Sequence, residues 1–104
     1  MQNLVKEFNE TKMCHKEKMP ESARVLDVQS EFGELSKEIL KATSYGTKPF
    51  FVTEDFKMEF GDVLYSMLSL ACEVGVDAEE CLKMAIKKYS DRIDAKKDMG
   101  SGRW

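Results

Sequence analysis

Two short blocks hold the residues whose types and spacing could do chemistry: Glu31-Phe-Gly-Glu34-Leu-Ser-Lys-Glu38, and further along Glu59-Phe-Gly-Asp62. In each, two carboxylates stand three residues apart, which on a helix puts them on one face in adjacent turns. Each acid immediately precedes an apolar residue: Glu31 before Phe32, Glu34 before Leu35, Glu38 before Ile39, Glu59 before Phe60 and Asp62 before Val63. Facing residues of an antiparallel helix pair have numbers with a constant sum. Glu31 with Asp62, Glu34 with Glu59 and Glu38 with Asp55 all satisfy the same one, and Asp27 with Ser66 continues the series. The pattern is therefore a ladder of facing acids along one side of a hairpin.

Such a ladder opposes folding unless something neutralises it, because two like charges about 4 Å apart repel by roughly 4 kcal/mol at an effective dielectric of about 20. An all-oxygen ligand set of this density suits a hard divalent ion, Mg²⁺ first, with Mn²⁺ a usable substitute. The competing reading is a row of solvated acids paired with Lys37, Lys41 or Lys57. A carboxylate-bridged di-iron bundle would want a Glu-x-x-His step, and no histidine follows His15. Cys14-His15 could begin a zinc site, but no second Cys/His cluster completes it.

A magnesium cluster on a small helical protein points to phosphate chemistry, which calls for cations nearby. Lys88 and Arg92 lie one helical turn apart, and each precedes an apolar residue, Tyr89 and Ile93. They occupy the same edge position on their helix as the acids do on theirs. Lys96 extends the line. Lys83, Lys87 and Lys97 are better explained by solubility and by the favourable placement of cations near a helix C-terminus.

Four helices must position these groups. The first is expected from about Asn3 to Glu17, with Leu4, Phe8, Thr11 and His15 along one side. Pro20 interrupts it and suits the first turn of the next helix. The second, about Glu21 to Thr43, carries a seam of Val25, Val28, Phe32, Leu35 and Ile39 at steps of three and four. Ser44 to Thr53 reads as the longest loop, with Phe50 and Phe51 anchoring it to the core. Thr53 is the N-cap of the third helix, followed by acids in its first turn. The seam of that helix is Phe56, Phe60, Val63, Met67, Leu70 and Val74, and Gly75 ends it. Asp77-Ala-Glu-Glu80 is a capping-box arrangement opening the fourth helix, whose Leu82, Ala85, Tyr89 and Ile93 are expected to face inward. Residues 98–104 read as a flexible tail.

The fold class that follows is all-α: helical hairpins assembling into an antiparallel four-helix-type bundle completed by dimerisation, in a single domain over residues 1–104. At 104 residues, 42% hydrophobic and 34% charged, the chain can bury a modest core. A net charge of −3 gives no general attraction to nucleic acid, and no apolar run could span a membrane. Three cysteines without a close pair, Cys14, Cys72 and Cys81, suit reduced thiols in a cytoplasmic protein, with Cys72 a small core residue.

The set Glu31-x-x-Glu34, Glu59-x-x-Asp62 and Lys88-Tyr89-x-x-Arg92 resembles the MazG-like all-α nucleoside triphosphate pyrophosphohydrolases. The resemblance covers roughly Val25 to Arg92 and includes Gly33-Glu-Leu, Gly61-Asp-Val-Leu-Tyr and Gly75-Val-Asp. It implies that Glu31, Glu34, Glu59 and Asp62 are the catalytic Mg²⁺ ligands and that Lys88 and Arg92 bind phosphate. Glu38 and Lys96 are additional candidates. The implied reaction splits the α–β phosphoanhydride of a nucleoside triphosphate, giving a monophosphate and pyrophosphate, as in house-cleaning of nucleotide pools. The implied assembly is a homodimer or homotetramer with sites completed by neighbouring subunits. One position departs from the pattern, since Ile86 stands where many relatives carry an asparagine two residues before the lysine. A phosphoribosyl-ATP pyrophosphatase-like enzyme, and a non-catalytic helical interaction module with a structural metal, remain alternatives. Seven methionines and broad apolar helix faces suit the second of these.

Overall fold

Thr53 and Gly75 delimit the central helix of the fold. The side-chain oxygen of Thr53 accepts the N–H of Phe56 at 3.0 Å, and Glu54 and Asp55 place negative charge over the first turn, where backbone N–H groups lack helical partners. At the other end Gly75 turns the chain at φ 76°, a left-handed conformation that strains any side chain, and donates its N–H to the Ala71 carbonyl. In the computed structural model, which describes residues 1–12 and 20–98, the helices in order are α1 (Gln2–Thr11), α2 (Glu21–Ala42), α3 (Glu54–Val74) and α4 (Ala78–Asp98). No strand occurs among the described residues. The all-α architecture is as the sequence predicts.

The α2–α3 hairpin is the most extensive packing in the molecule. Its reversal follows from Thr43, whose hydroxyl donates to the Ile39 carbonyl at 2.8 Å and accepts the N–H of Gly46 at 3.0 Å. Ser44, Tyr45 and Gly46 then take left-handed φ values of 47°, 59° and 86°. Leu35, Ser66, Leu68, Ser69 and Ala71 are buried in this region. Toward the far end Arg24 of α2 meets Glu73 of α3 at 3.6 Å, with side chains only 6% and 15% exposed. A pair withdrawn from water this far adds little net stability, but removing one partner strands the other charge.

The α1 helix lies on α3. Val5 is buried there, and Phe8 meets Tyr65 edge-on with ring centres 5.9 Å apart. The Tyr65 hydroxyl donates to Asn9 Oδ1, and Asn9 Nδ2 donates to the Ser69 hydroxyl at 3.2 Å. Gln2 bridges to the start of α4: its Nε2 donates to the Val76 carbonyl and its Oε1 accepts the Ala78 N–H, both at 2.7 Å. Asp77 Oδ1 accepts the Glu80 N–H at 3.2 Å, the cap expected for this helix.

The structure corrects the expected burial in three places. Among the described residues none of α4 is buried, and Leu82, Tyr89 and Ile93, expected inward, are exposed. The reason is the short α3–α4 joint, fixed by Gly75 and Gln2, which aims α4 away from the hairpin so that it makes little contact with any other helix. On the hairpin, Phe32, Phe60, Met67 and Val74 belong to the expected seams yet are about half exposed. Phe51 is exposed, whereas Phe50 does anchor the loop by packing against Phe56 with ring centres 5.1 Å apart. The radius of gyration, 17.9 Å, exceeds the roughly 13 Å of a compact domain of this length. Cys72 is half-buried and Cys81 exposed. Cys14, His15 and the rest of 13–19, with 99–104 of the expected tail, lie outside the described residues.

Asn9→Ala would leave two hydroxyls at the α1–α3 contact without a partner, one of them on the fully buried Ser69. The expected cost is about 1–3 kcal/mol, read as a lower urea midpoint, with α1 amides losing exchange protection ahead of those in α3.

Candidate metal centre

Packing α2 against α3 in antiparallel order carries the two acidic blocks together. Glu31 from α2 and Glu59 and Asp62 from α3 each offer a carboxylate oxygen, and these atoms lie within 4.8 Å of one another. Glu31 and Glu59 are half-buried, and Asp62 is exposed. The Glu59 carboxyl holds its proton more tightly than an ordinary glutamate. Partial loss of water is the leading cause, followed by the negative charges of Asp62, Glu31, Glu34 and Glu38. Four acids of the inferred ladder thus bear on the one carboxyl of Glu59, and Asp55 of the outer rung is not among them.

Not every rung closes. Glu34 pairs with Lys37 at 3.3 Å and Glu38 with Lys41 at 3.4 Å, each one turn along its own helix, and Lys57 turns to Glu54 at 3.0 Å. Those pairs match the lysine-paired reading for Glu34 and Glu38, but only Glu34 is solvated, the Glu38 side chain being 15% exposed. They do not account for the other three acids: no ion pair among the described residues includes Glu31, Glu59 or Asp62. All-carboxylate donors from two rigid helices, with uncompensated charge, fit a hard divalent cation and do not resemble the sulfur and nitrogen sets of zinc.

The cations expected beside the acids are elsewhere. Lys88 and Arg92 are exposed on α4, where the Lys88 ammonium sits 4.9 Å from the centre of the Tyr89 ring. Neither contributes to the charge felt by Glu59. Lys96 is half-buried on the same helix. Lys87 pairs with Asp91 at 2.8 Å on the solvated surface, and that contact raises the proton affinity of the ammonium.

Sequence reasoning missed an apolar groove of about 470 Å³ between α1 and α3, lined by Met1, Leu4, Val5, Phe8, Gly61, Leu64, Tyr65 and Leu68. The signal was present in Leu4 and Phe8, four residues apart, and in Gly61, which puts no side chain over the α3 wall of the groove. Arg24 also escaped notice, because a single arginine in an apolar stretch gives no sign that an acid will meet it. Compared with known proteins, the chain matches no family model, no curated protein and no solved structure.

Because Glu59 binds its proton more readily when folded than when unfolded, it favours the folded state at pH below the ordinary glutamate range, and that contribution is lost as pH rises through its raised value. Glu59→Gln removes the repulsion at every pH. In EDTA the variant should therefore melt above the wild type at pH 7, and the gap should shrink on acidification into the carboxyl range. Equal melting temperatures at pH 7 would show that the charges are not strained.

Proposed function

We propose that the chain is a Mg²⁺-dependent nucleoside triphosphate pyrophosphohydrolase of the MazG-like all-α type, releasing a nucleoside monophosphate and pyrophosphate. The observation that carries this reading is the convergence of Glu31, Glu59 and Asp62 within 4.8 Å, with no ion pair to a cation among the described residues. Bound Mg²⁺ would neutralise triphosphate charge and favour in-line attack of water on the α–β anhydride. Glu31, Glu59 and Asp62 would hold the ion on two helices that do not need to move. Glu34 would complete the set by exchanging its exposed contact with Lys37, which is worth little in water. Glu38, its side chain only 15% exposed, would orient water or hold a further ion. Lys88 and Arg92 would bind the phosphates from a neighbouring copy, so self-association as a homodimer or homotetramer is part of the reading. A phosphoribosyl-ATP pyrophosphatase-like substrate fits the same acids.

The second reading is a non-catalytic oligomerisation or interaction module, and the exposed apolar faces of α2, α3 and α4 favour it.

With Mg²⁺ and a panel of nucleoside triphosphates, pyrophosphate release should be detected for at least one substrate and should fall with Glu59→Gln. Removing a mere outer partner of a metal ligand already costs roughly 10–100-fold, so loss of a ligand should cost at least that. No turnover on any nucleotide at high enzyme concentration would leave the interaction module. Mg²⁺ should also raise the melting temperature in proportion to the logarithm of its concentration above the dissociation constant, and a flat response would remove the metal centre.

A further inference from the structure

Two acids of the ladder are engaged twice. Glu34 and Glu38 add their negative charge to the Glu59 carboxyl across the hairpin, yet each also pairs with a lysine one turn along α2, Lys37 at 3.3 Å and Lys41 at 3.4 Å. The other ion pairs among the described residues hold Glu73, Glu54, Glu79 and Asp91, none of which bears on Glu59. Lys37 and Lys41 are therefore the cations that ion pairing brings to the ladder.

Lys37 has the freer partner of the two. Its side chain is 68% exposed and that of Glu34 50%, so the contact is weak and the four-carbon stem can swing to another anion. Glu38, the partner of Lys41, is largely withdrawn from water. Glu34 also stands outside the group gathered within 4.8 Å. An ammonium and a divalent ion on one carboxylate repel each other, so Lys37 and the ion compete for Glu34. We propose that Lys37 is a tethered cation for this centre: it occupies Glu34 until a divalent ion arrives, and then turns to a phosphate oxygen of the anion that the ion binds. This rests on the metal reading above and deepens it by assigning a phosphate contact to the hairpin's own chain.

The exchange requires no backbone movement. The ammonium already lies 3.3 Å from an oxygen of Glu34, so a phosphate held by an ion on that carboxylate falls within the sweep of the same stem. Metal and phosphate then support each other, because the ion frees the lysine and a phosphate that engages the lysine frees Glu34. By linkage each must tighten the other by the same factor.

The test uses two calorimetric titrations of the full chain, one with Mg²⁺ alone and one with Mg²⁺ and imidodiphosphate, a pyrophosphate analogue with a P–N–P bridge. Lys37→Met removes the competitor and the phosphate contact together. It should bind Mg²⁺ alone about two- to fivefold more tightly, the worth of a solvated ion pair. It should bind the Mg²⁺–imidodiphosphate complex at least about tenfold more weakly, the worth of a hydrogen bond to a charged group. Lys37→Arg, which keeps the charge, should restore the second value. Lys57→Met breaks a pair of the same kind, Glu54 with Lys57 at 3.0 Å, away from the acids that bear on Glu59, and should change neither. A Lys37→Met that shifts both affinities in one direction, or shifts neither, overturns the proposal, and so does a Lys57→Met that behaves like it. Those outcomes leave the metal reading standing, since the wild type still takes up Mg²⁺. A wild type that takes up none overturns both.

Discussion

The hairpin holds together three carboxylates that repel one another, and the rest of the molecule can be understood from that opposition. Glu31, Glu59 and Asp62 meet because their helices pack in one register, and the charge they concentrate pushes against that packing. What holds the register lies elsewhere. Leu35, Leu68 and Ala71 are buried in the hairpin, and Arg24 with Glu73 sets the pairing toward its open end. Thr53 and the Thr43 turn fix where the two helices stop and start. Keeping the sources of stability apart from the charged cluster lets the cluster stay strained without unravelling its support. In this division the repulsion among the three acids and the contacts that oppose it lie in different parts of the hairpin.

The elements were legible to within a residue or two where local chemistry marked them. Thr53, Gly75 and Asp77 act through hydrogen bonds and backbone angles confined to a few neighbouring residues, so the residue types alone reveal them. The facing of Glu31 with Asp62 was readable for a different reason: in a two-helix hairpin, residue numbers alone set which turns meet. Burial was not readable. The seam of α4 has the same periodicity as that of α3, yet it remains open to solvent, because spacing reports that a face is apolar and says nothing of what covers it. Glu34 shows the same limit at the scale of one side chain. Its position on the ladder is as the numbering requires, but Lys37 one turn away draws its carboxylate aside.

Long-range polar contacts were invisible for a related reason. Asn9, Tyr65 and Ser69 come from distant parts of the sequence, and none stands in a pattern that announces the other two. Together they decide where α1 lies. Gln2 is a similar case: a residue near the start of the sequence completes the first turn of the last helix, a role that no spacing rule would assign to it.

The position of α1 couples parts of the molecule that are otherwise separate. The same ten-residue helix forms one wall of the apolar groove and ties down the root of α4. A helix that short has little stability of its own in water and borrows its order from α3. Local melting of α1 would therefore dissolve the groove and release the α3–α4 joint in one event, while leaving the α2–α3 hairpin and its carboxylates folded. The molecule thus contains two units of unequal durability, and the shape of the whole depends on the weaker one.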